Sequence, residues 1–232
     1  LRSKALPIVR LTEIFRQAQE SLIVMNAHRV NQGSMPELKN VKSDFFFLPV
    51  RSEEELAKTV VGLCSTRLPG KMGIPADQIQ VLCPTKKGPA GTVALNRLLQ
   101  ASLNPPAPGK NERTFGETLF REGDRVMQIR NNYDLEWTKN TDGSTGMGVF
   151  NGDIGIIEKM DPIGRMMAIR FDDRVAEYPF DSANELDHAY AVTVHKSQGS
   201  EFKAVIIPAF DAPRMLLNRC LLYTAVTRAK TR

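Results

Sequence analysis

The chain has few cysteines: Cys64, Cys83 and Cys220 are all that 232 residues contain. Their number is odd, and their spacing fits neither a zinc site nor a disulfide framework. No metal is expected, and each reads as a small buried hydrophobe in a reducing, cytoplasmic compartment. No apolar run approaches the roughly 18 residues that a membrane span requires. The opening Leu1-Arg2-Ser3-Lys4 is followed by no apolar signal segment. It also lacks an initiator methionine, so a piece of a longer protein is expected. The net charge of +5 carries no Lys/Arg block, which argues against a disordered nucleic-acid tail and leaves only a mild bias towards polyanions. A phosphate loop is missing as well. Gly70-Lys71 and Gly109-Lys110 have no glycine at the required spacing, and Met72 and Asn111 follow the lysines instead of a hydroxyl. No acidic pair closes an apolar strand. A complete nucleotide-hydrolysing site is therefore not expected within this chain.

Strand and helix patterns do alternate. Thr12 begins a capping pattern, and apolar positions 22, 23, 26/27 and 30 predict a helix that Asn31-Gln32-Gly33 stops. Arg16 and Gln17 stand at its entrance, where backbone N–H groups attract anions; a solvated charge is the alternative for Arg16. Asp44–Val50 reads as a continuous apolar strand. Ser52 then caps a helix with an acidic first turn, running to about Arg67, where Pro69-Gly70 breaks it. Residues 78–84 form the next buried strand, the polar basic loop 85–92 follows, and a helix covers 93–103. This order predicts an α/β fold with a parallel sheet and helices on both faces.

After Asn104-Pro105-Pro106 the texture changes. Residues 125–129, 154–158, 166–171 and 175–178 are short apolar runs separated by Gly, Asp and Asn turns, the pattern of a small inserted antiparallel β-barrel. Residues 133–148 are polar and glycine-rich and read as a mobile loop. The α/β pattern resumes at 184–186.

The densest chemistry lies at 189–201. An apolar, β-branched half leads into His195-Lys196-Ser197-Gln198-Gly199-Ser200-Glu201, and a second apolar strand follows at 204–208. Such a loop lies at the carboxyl edge of a sheet, where α/β folds bind ligands. The chain closes on a helix from Met215 to Lys230 with 217, 221 and 224/225 on its apolar face. Arg219 and Arg228 lie on different faces of it.

Three stretches in order, Phe15-Arg16-Gln17-Ala18, Ala189–Phe202 and Leu222–Ala229, resemble motifs IV, V and VI of superfamily 1 helicases. The intervening Leu82-Cys83-Pro84-Thr85, Leu95-Asn96-Arg97, Gly123-Asp124-Arg125-Val126 and Phe150-Asn151-Gly152-Asp153 resemble the RecD-like branch. The resemblance implies a second RecA-like motor domain in two segments, 1–114 and 187–232, interrupted at 115–186 by a barrel of the Src-homology-3 type. It implies ATP-driven 5′-to-3′ movement on single-stranded DNA. ATP and Mg2+ would be bound mainly by a missing N-terminal motor domain, and RecB/RecC-like subunits are possible partners. It assigns Arg16 and Arg228 as catalytic γ-phosphate arginines, because phosphoryl transfer needs cations on its developing charge. Gln17, Gly199 and Glu201 would face the nucleotide. Thr85, Lys86, Thr193, His195 and Lys196 would grip DNA.

Each of these residues also has a plainer reading. Arg228, Lys86 and Lys196 could be solvated charges, and His195 a loop anchor. The whole chain could be a non-enzymatic nucleic-acid-binding or docking module. A hydrolytic His195–Glu201 pair lacks both a nucleophile elbow and a metal-ligand set.

Overall fold

The computed structural model describes residues 21–39, 44–210 and 217–231. Helix α1 (Leu22–Asn31) buries Leu22, Ile23, Ala27 and Val30, the face its periodicity predicts. Its entrance is Ser21, whose backbone is extended and whose hydroxyl donates to Asp44 Oδ2 at 2.6 Å. The entrance residues expected from the sequence are Arg16 and Gln17. Those two residues, with Thr12, lie outside the described residues.

Residues 45–50 form no strand, contrary to their apolar pattern. Phe45 packs against the cluster of Ile23, Ala27, Val226 and Ala229, while Phe46, Phe47 and Leu48 remain exposed. The run acquires no ladder among the described residues, because an apolar pattern supplies packing and not a hydrogen-bonding neighbour.

Helix α2 (Glu53–Gly62) starts as predicted, with the Ser52 hydroxyl accepting from Glu55 N at 3.1 Å and Glu53, Glu54 and Glu55 in its first turn. Pro69-Gly70 does not end it. A π-helical turn (Leu63–Arg67) resets the register, so Pro69 falls in the first turn of α3 (Leu68–Met72), where its missing N–H costs nothing. Gly73, at φ +61°, makes the stop.

Strand β1 (Ile79–Cys83) is fully buried, and α4 (Thr92–Leu103) follows. The hairpin β2 (Glu112–Phe115) and β3 (Thr118–Arg121) leads into β4 (Arg125–Gln128), β5 (Asn132–Lys139), β6 (Thr145–Val149), β7 (Ile154–Asp161), β8 (Met166–Phe171), β9 (Arg174–Pro179) and β10 (Leu186–His188). These last seven form one antiparallel sheet, ordered β10-β4-β7-β8-β9-β5-β6. Its core includes Ile157, Met167, Ile169 and Tyr178 from the apolar runs, joined by Phe120 of β3. The expected mobile loop at 133–148 is the β5–β6 hairpin instead. Trp137 pairs with Gly146 across it, and a Cβ on Gly146 would run into the indole. That glycine therefore permits close approach rather than flexibility.

Strand β11 (Ala191–Thr193) pairs in parallel with β1, and β12 (Ala204–Ile206) with its other edge. The α/β pattern thus resumes at Tyr190, since 186–188 still belong to the antiparallel sheet. Ile79, Val81 and Cys83 face a core shared with α2 and α4, while Leu82 faces Val192, Phe202, Leu221 and Met127. Both faces of the three-stranded parallel sheet are therefore covered, one by helices and the other by α5 (Arg219–Val226) together with the antiparallel unit.

Helix α5 buries Leu221, Ala225 and Val226; Leu217 precedes it and stays exposed. Cys220 is also exposed. Cys64 and Cys83 are buried, and burial pushes both thiols up to about 12.

A polar hub joins the parts. Asp124, fully buried, accepts from Gln100 Nε2 at 2.6 Å, Asn104 Nδ2 at 2.7 Å, Arg121 N at 2.8 Å and Tyr190 Oη at 2.9 Å, with His188 Nε2 at 3.2 Å. Burial alone would raise this carboxyl. The hydrogen bonds from His188, Asn104 and Tyr190, with the charge on His188, outweigh it and hold the group below its ordinary value. Arg125 adds a second tie, donating from Nη1 to Ile79 O at 2.9 Å. No helix among the described residues is long and apolar enough to cross a membrane.

Candidate functional site

Parallel pairing of Cys83 with Thr193 sets the carboxyl ends of β1 and β11 side by side. The loops that leave them, 84–91 and 194–203, therefore share one edge. The first loop folds back on α4. Thr85 O accepts from Thr92 N and Lys86 O from Val93 N, each at 3.1 Å, so two of the helix's first N–H groups are already satisfied. Thr85 Oγ1 donates to Lys87 O at 2.7 Å. Gly91 makes the fold possible, because a Cβ there would lie 2.5 Å from the Lys86 and Lys87 carbonyl oxygens.

A cleft of about 360 Å³ opens between this edge, α4 and the antiparallel unit. Lys86, Thr193 and Lys196 line it, as do Arg97, Asp187 and His188. Lys196 is partly exposed but paired: its Nζ lies 3.1 Å from Asp187 Oδ2. Lys86 and Arg97 have no ion-pair partner among the described residues. Thr85 is half-buried and His195 exposed, and neither lines the cleft. The α4 position is fixed by Asn96, whose amide accepts from Ala191 N at 2.7 Å and donates to Ala191 O at 2.8 Å, satisfying the outer edge of β11. Arg97 and Asp187 are cleft residues that sequence reasoning missed. Arg97 stood within a quoted stretch, but only the docking of Asn96 points its helix face here. Asp187 reaches the cleft through β10 pairing with β4, which no local pattern announces.

The second half of the 194–203 loop turns away from the cleft towards the end of the chain. Val194–Ser197 form a 3-10 turn, with the buried Ser197 hydroxyl donating to Val194 O at 2.7 Å. Gly199 follows at φ +88°, with no atom within 4 Å of where a Cβ would stand. Phe202 then bridges to Ala229: Phe202 N donates to Arg228 O at 2.9 Å, and Lys230 N to Phe202 O at 2.8 Å. This ladder brings Arg228 to the loop. Its guanidinium donates from Nη1 to Ser200 O at 3.1 Å, from Nε to Thr224 O at 3.2 Å and from Nη2 to Thr227 Oγ1 at 3.3 Å. Three of the five guanidinium N–H groups are thereby used, and two remain for an acceptor. Glu201 is exposed, with one oxygen 3.6 Å from Lys230 Nζ.

The predicted residues thus fall into two groups on opposite sides of one turn: Lys86, Thr193 and Lys196 around the cleft, and Gly199, Glu201 and Arg228 beyond it. Among the described residues, no group of three or more His, Cys, Asp or Glu side chains is placed to hold a metal ion.

Two segments of the chain match known families. Residues 95–171 match the family described as the ATP-dependent RecD-like DNA helicase SH3 domain, and residues 188–232 the UvrD-like helicase C-terminal domain. The chain is 32% identical over 230 residues to the ATP-dependent RecD2 DNA helicase of Deinococcus radiodurans, covering 99% of this chain and 28% of that protein. It is 34% identical over 161 residues to the RecBCD enzyme subunit RecD of Mycolicibacterium smegmatis, covering 67% of this chain and 24% of that one. In fold it is similar to a Bacteroides Pif1 whose structure has single-stranded DNA bound, with a TM-score of 0.53, 18% identity, and coverage of 96% of this chain and 50% of that chain. The chain therefore spans about a quarter of the length of these curated relatives.

Proposed function

Because this chain belongs to the RecD-like family of superfamily 1 helicases, we propose that it is the C-terminal motor part of an ATP-dependent DNA helicase that moves 5′ to 3′ on single-stranded DNA in recombination or repair. On this reading the α/β segments on either side of the antiparallel unit make one RecA-like domain, and that unit is an SH3-like barrel inserted into it. ATP and Mg2+ are held mainly by a preceding motor domain, and the protein works in the cytoplasm, alone or beside RecB/RecC-like subunits.

The observation that carries this reading is the seat of Arg228. Its side chain is anchored to the Ser200 carbonyl, between Gly199 and Glu201, with two N–H groups still to give. A planar cation held on a rigid loop, with donors to spare, fits a phosphate acceptor. Gly199 supports the same role, since the open space at its Cα admits a ligand close to the backbone. Arg16, with Gln17 beside it, would supply the second cation, and Glu201 would accept from ribose hydroxyls.

The chemistry of ATP hydrolysis lies with the preceding domain. This chain's part is to withhold or deliver a positive charge as the cleft between the two domains opens and closes, which ties turnover to movement. On the other side of the turn, Thr85, Lys86, Thr193, His195 and Lys196 form the surface against the DNA backbone. Strand contacts and phosphate contacts then sit on the two ends of one short loop, so that a shift at one reaches the other. The test is Arg228→Ala in the full-length protein, with ATP turnover and oligonucleotide binding measured together. Lost turnover with retained binding supports the assignment, and unchanged turnover removes Arg228 from the site.

A further inference from the structure

On the antiparallel unit two aromatic rings stand in the open. Tyr133 is 65% exposed and Phe150 41% exposed, and they meet edge to face with centroids 5.7 Å apart. Exposed rings are ordinarily loose, but this pair is held. Phe150 N donates to Asp153 Oδ2 and Asp153 N to Phe150 O, both at 3.0 Å, closing the Asn151-Gly152 turn. Gly152 N donates to Gln128 O at 2.9 Å, fixing that turn to β4. Gly148, at φ +97°, lies beneath the Phe150 ring, where a Cβ would come to 3.0 Å of its Cζ. Asn131 ties the Tyr133 side chain to the turn after Phe150: its Oδ1 accepts from Asn151 N at 2.9 Å and its Nδ2 donates to the Tyr133 hydroxyl at 3.3 Å.

The setting of the pair narrows its occupant. Arg130, exposed and next in sequence to Asn131, has no ion-pair partner among the described residues. Met127 lines the cleft that holds the unpaired Lys86 and Arg97, and Asn131 is four residues further on, at most about 14 Å along the chain. The unpaired cations of the cleft and the held π surface, with another cation next to it in sequence, are thus separated by one short stretch of chain. A polymer with regularly spaced negative charges and flat faces matches that sequence of groups. Two rings with one arginine make a small patch for a protein partner, whereas they match the stacking platform of one or two bases.

We propose that Tyr133 and Phe150 form a base-stacking platform for single-stranded nucleic acid leaving the cleft, with Arg130 on the adjacent phosphate. This rests on the reading of the cleft edge as a DNA surface.

The test uses the full-length protein and an oligonucleotide carrying 2-aminopurine, scanned base by base, with a matched series carrying one abasic site. Tyr133→Ala is expected to weaken binding by about 5- to 150-fold, the effect of losing a stacked base. It should also abolish the fluorescence change at one or two positions only. Moving the abasic site to those positions should weaken the unaltered protein and leave the variant indifferent. Tyr133→Trp should retain binding. Phe150→Ala should behave as Tyr133→Ala. Should it melt early, Tyr133→Ala decides alone, since that side chain is mostly in solvent. Equal affinity and equal abasic penalties in the variant and the unaltered protein would overturn the proposal and leave the pair to a protein partner. Lys86→Ala and Thr193→Ala separate the two readings: if both bind normally, the cleft surface itself has failed, whatever the rings do.

Discussion

Arg228 Nη1 and the Ser200 carbonyl oxygen lie 3.1 Å apart, and that hydrogen bond fastens the end of the chain to the loop leaving β11. Arg228→Ala is therefore expected to cut ATP turnover in the full-length protein by about 10³- to 10⁵-fold, the range seen when such a cation is absent in other phosphoryl-transfer enzymes. Oligonucleotide affinity should stay near its starting value, because the side chain lies away from the cleft. Arg228→Lys should not rescue turnover, since an ammonium cannot donate to Ser200 O and two further acceptors in one plane. The chain by itself should show no ATPase activity in a steady-state assay.

Asp187 holds Lys196 Nζ at 3.1 Å inside the cleft. Lys196→Ala is expected to reduce the slope of log affinity against log salt by about 0.7, the change for one phosphate contact on a single strand. Asp187→Ala should release the lysine and tighten binding at low salt. Identical salt slopes for all three proteins would take Lys196 out of the DNA surface.

Gly91 sits under the Lys86 and Lys87 carbonyl groups, 2.5 Å from where a Cβ would be. Its φ of −83° is open to any residue, so the constraint is space and not backbone conformation. Gly91→Ala should cost about 1–3 kcal/mol by overpacking, read in denaturant unfolding. It should also weaken DNA binding by displacing Lys86.

The Asp124 carboxylate, held below its ordinary value by the groups that donate to it, gives stability a defined pH dependence. A depressed carboxyl contributes fully above the unfolded value of about 3.9, and its contribution is lost as pH falls through the lower folded value. Acid unfolding should therefore steepen below about pH 4. Asp124→Asn should flatten that dependence and destabilise the fold at neutral pH, because one amide cannot accept from all of these donors. Asp124→Ala should cost more, about 3–5 kcal/mol, by leaving buried partners unpaired. Parallel stability-against-pH curves for the Asn variant and the unaltered protein would contradict this role.

Much of the fold follows from local pattern. The face of α1, Leu221 and Ala225 on α5, the Ser52 cap, β1, and strands β4, β7, β8 and β9 of the antiparallel unit sit where hydrophobic period and turn residues place them. The failures share a cause. Asp44–Val50 has the composition of a strand without its ladder, and the 133–148 segment has the composition of a loop while Trp137 against Gly146 makes it a hairpin. Pro69 reads as a stop until a π turn moves it into a first turn. In each case the outcome depends on a neighbour distant in sequence or on helix register.

Among the site residues, amino-acid order alone determined which types are available: the density of polar groups at 195–201, the arginine at 228, and the absence of a phosphate loop. Tertiary structure decided their relations. It split the predicted set across one turn, paired Lys196 with Asp187, brought Arg228 to Ser200 through the Phe202–Ala229 bridge, and left His195 outside the cleft. Composition is a property of each position, but a hydrogen bond between residues tens of positions apart depends on strand register. A register shift of one residue turns every side chain to the opposite face.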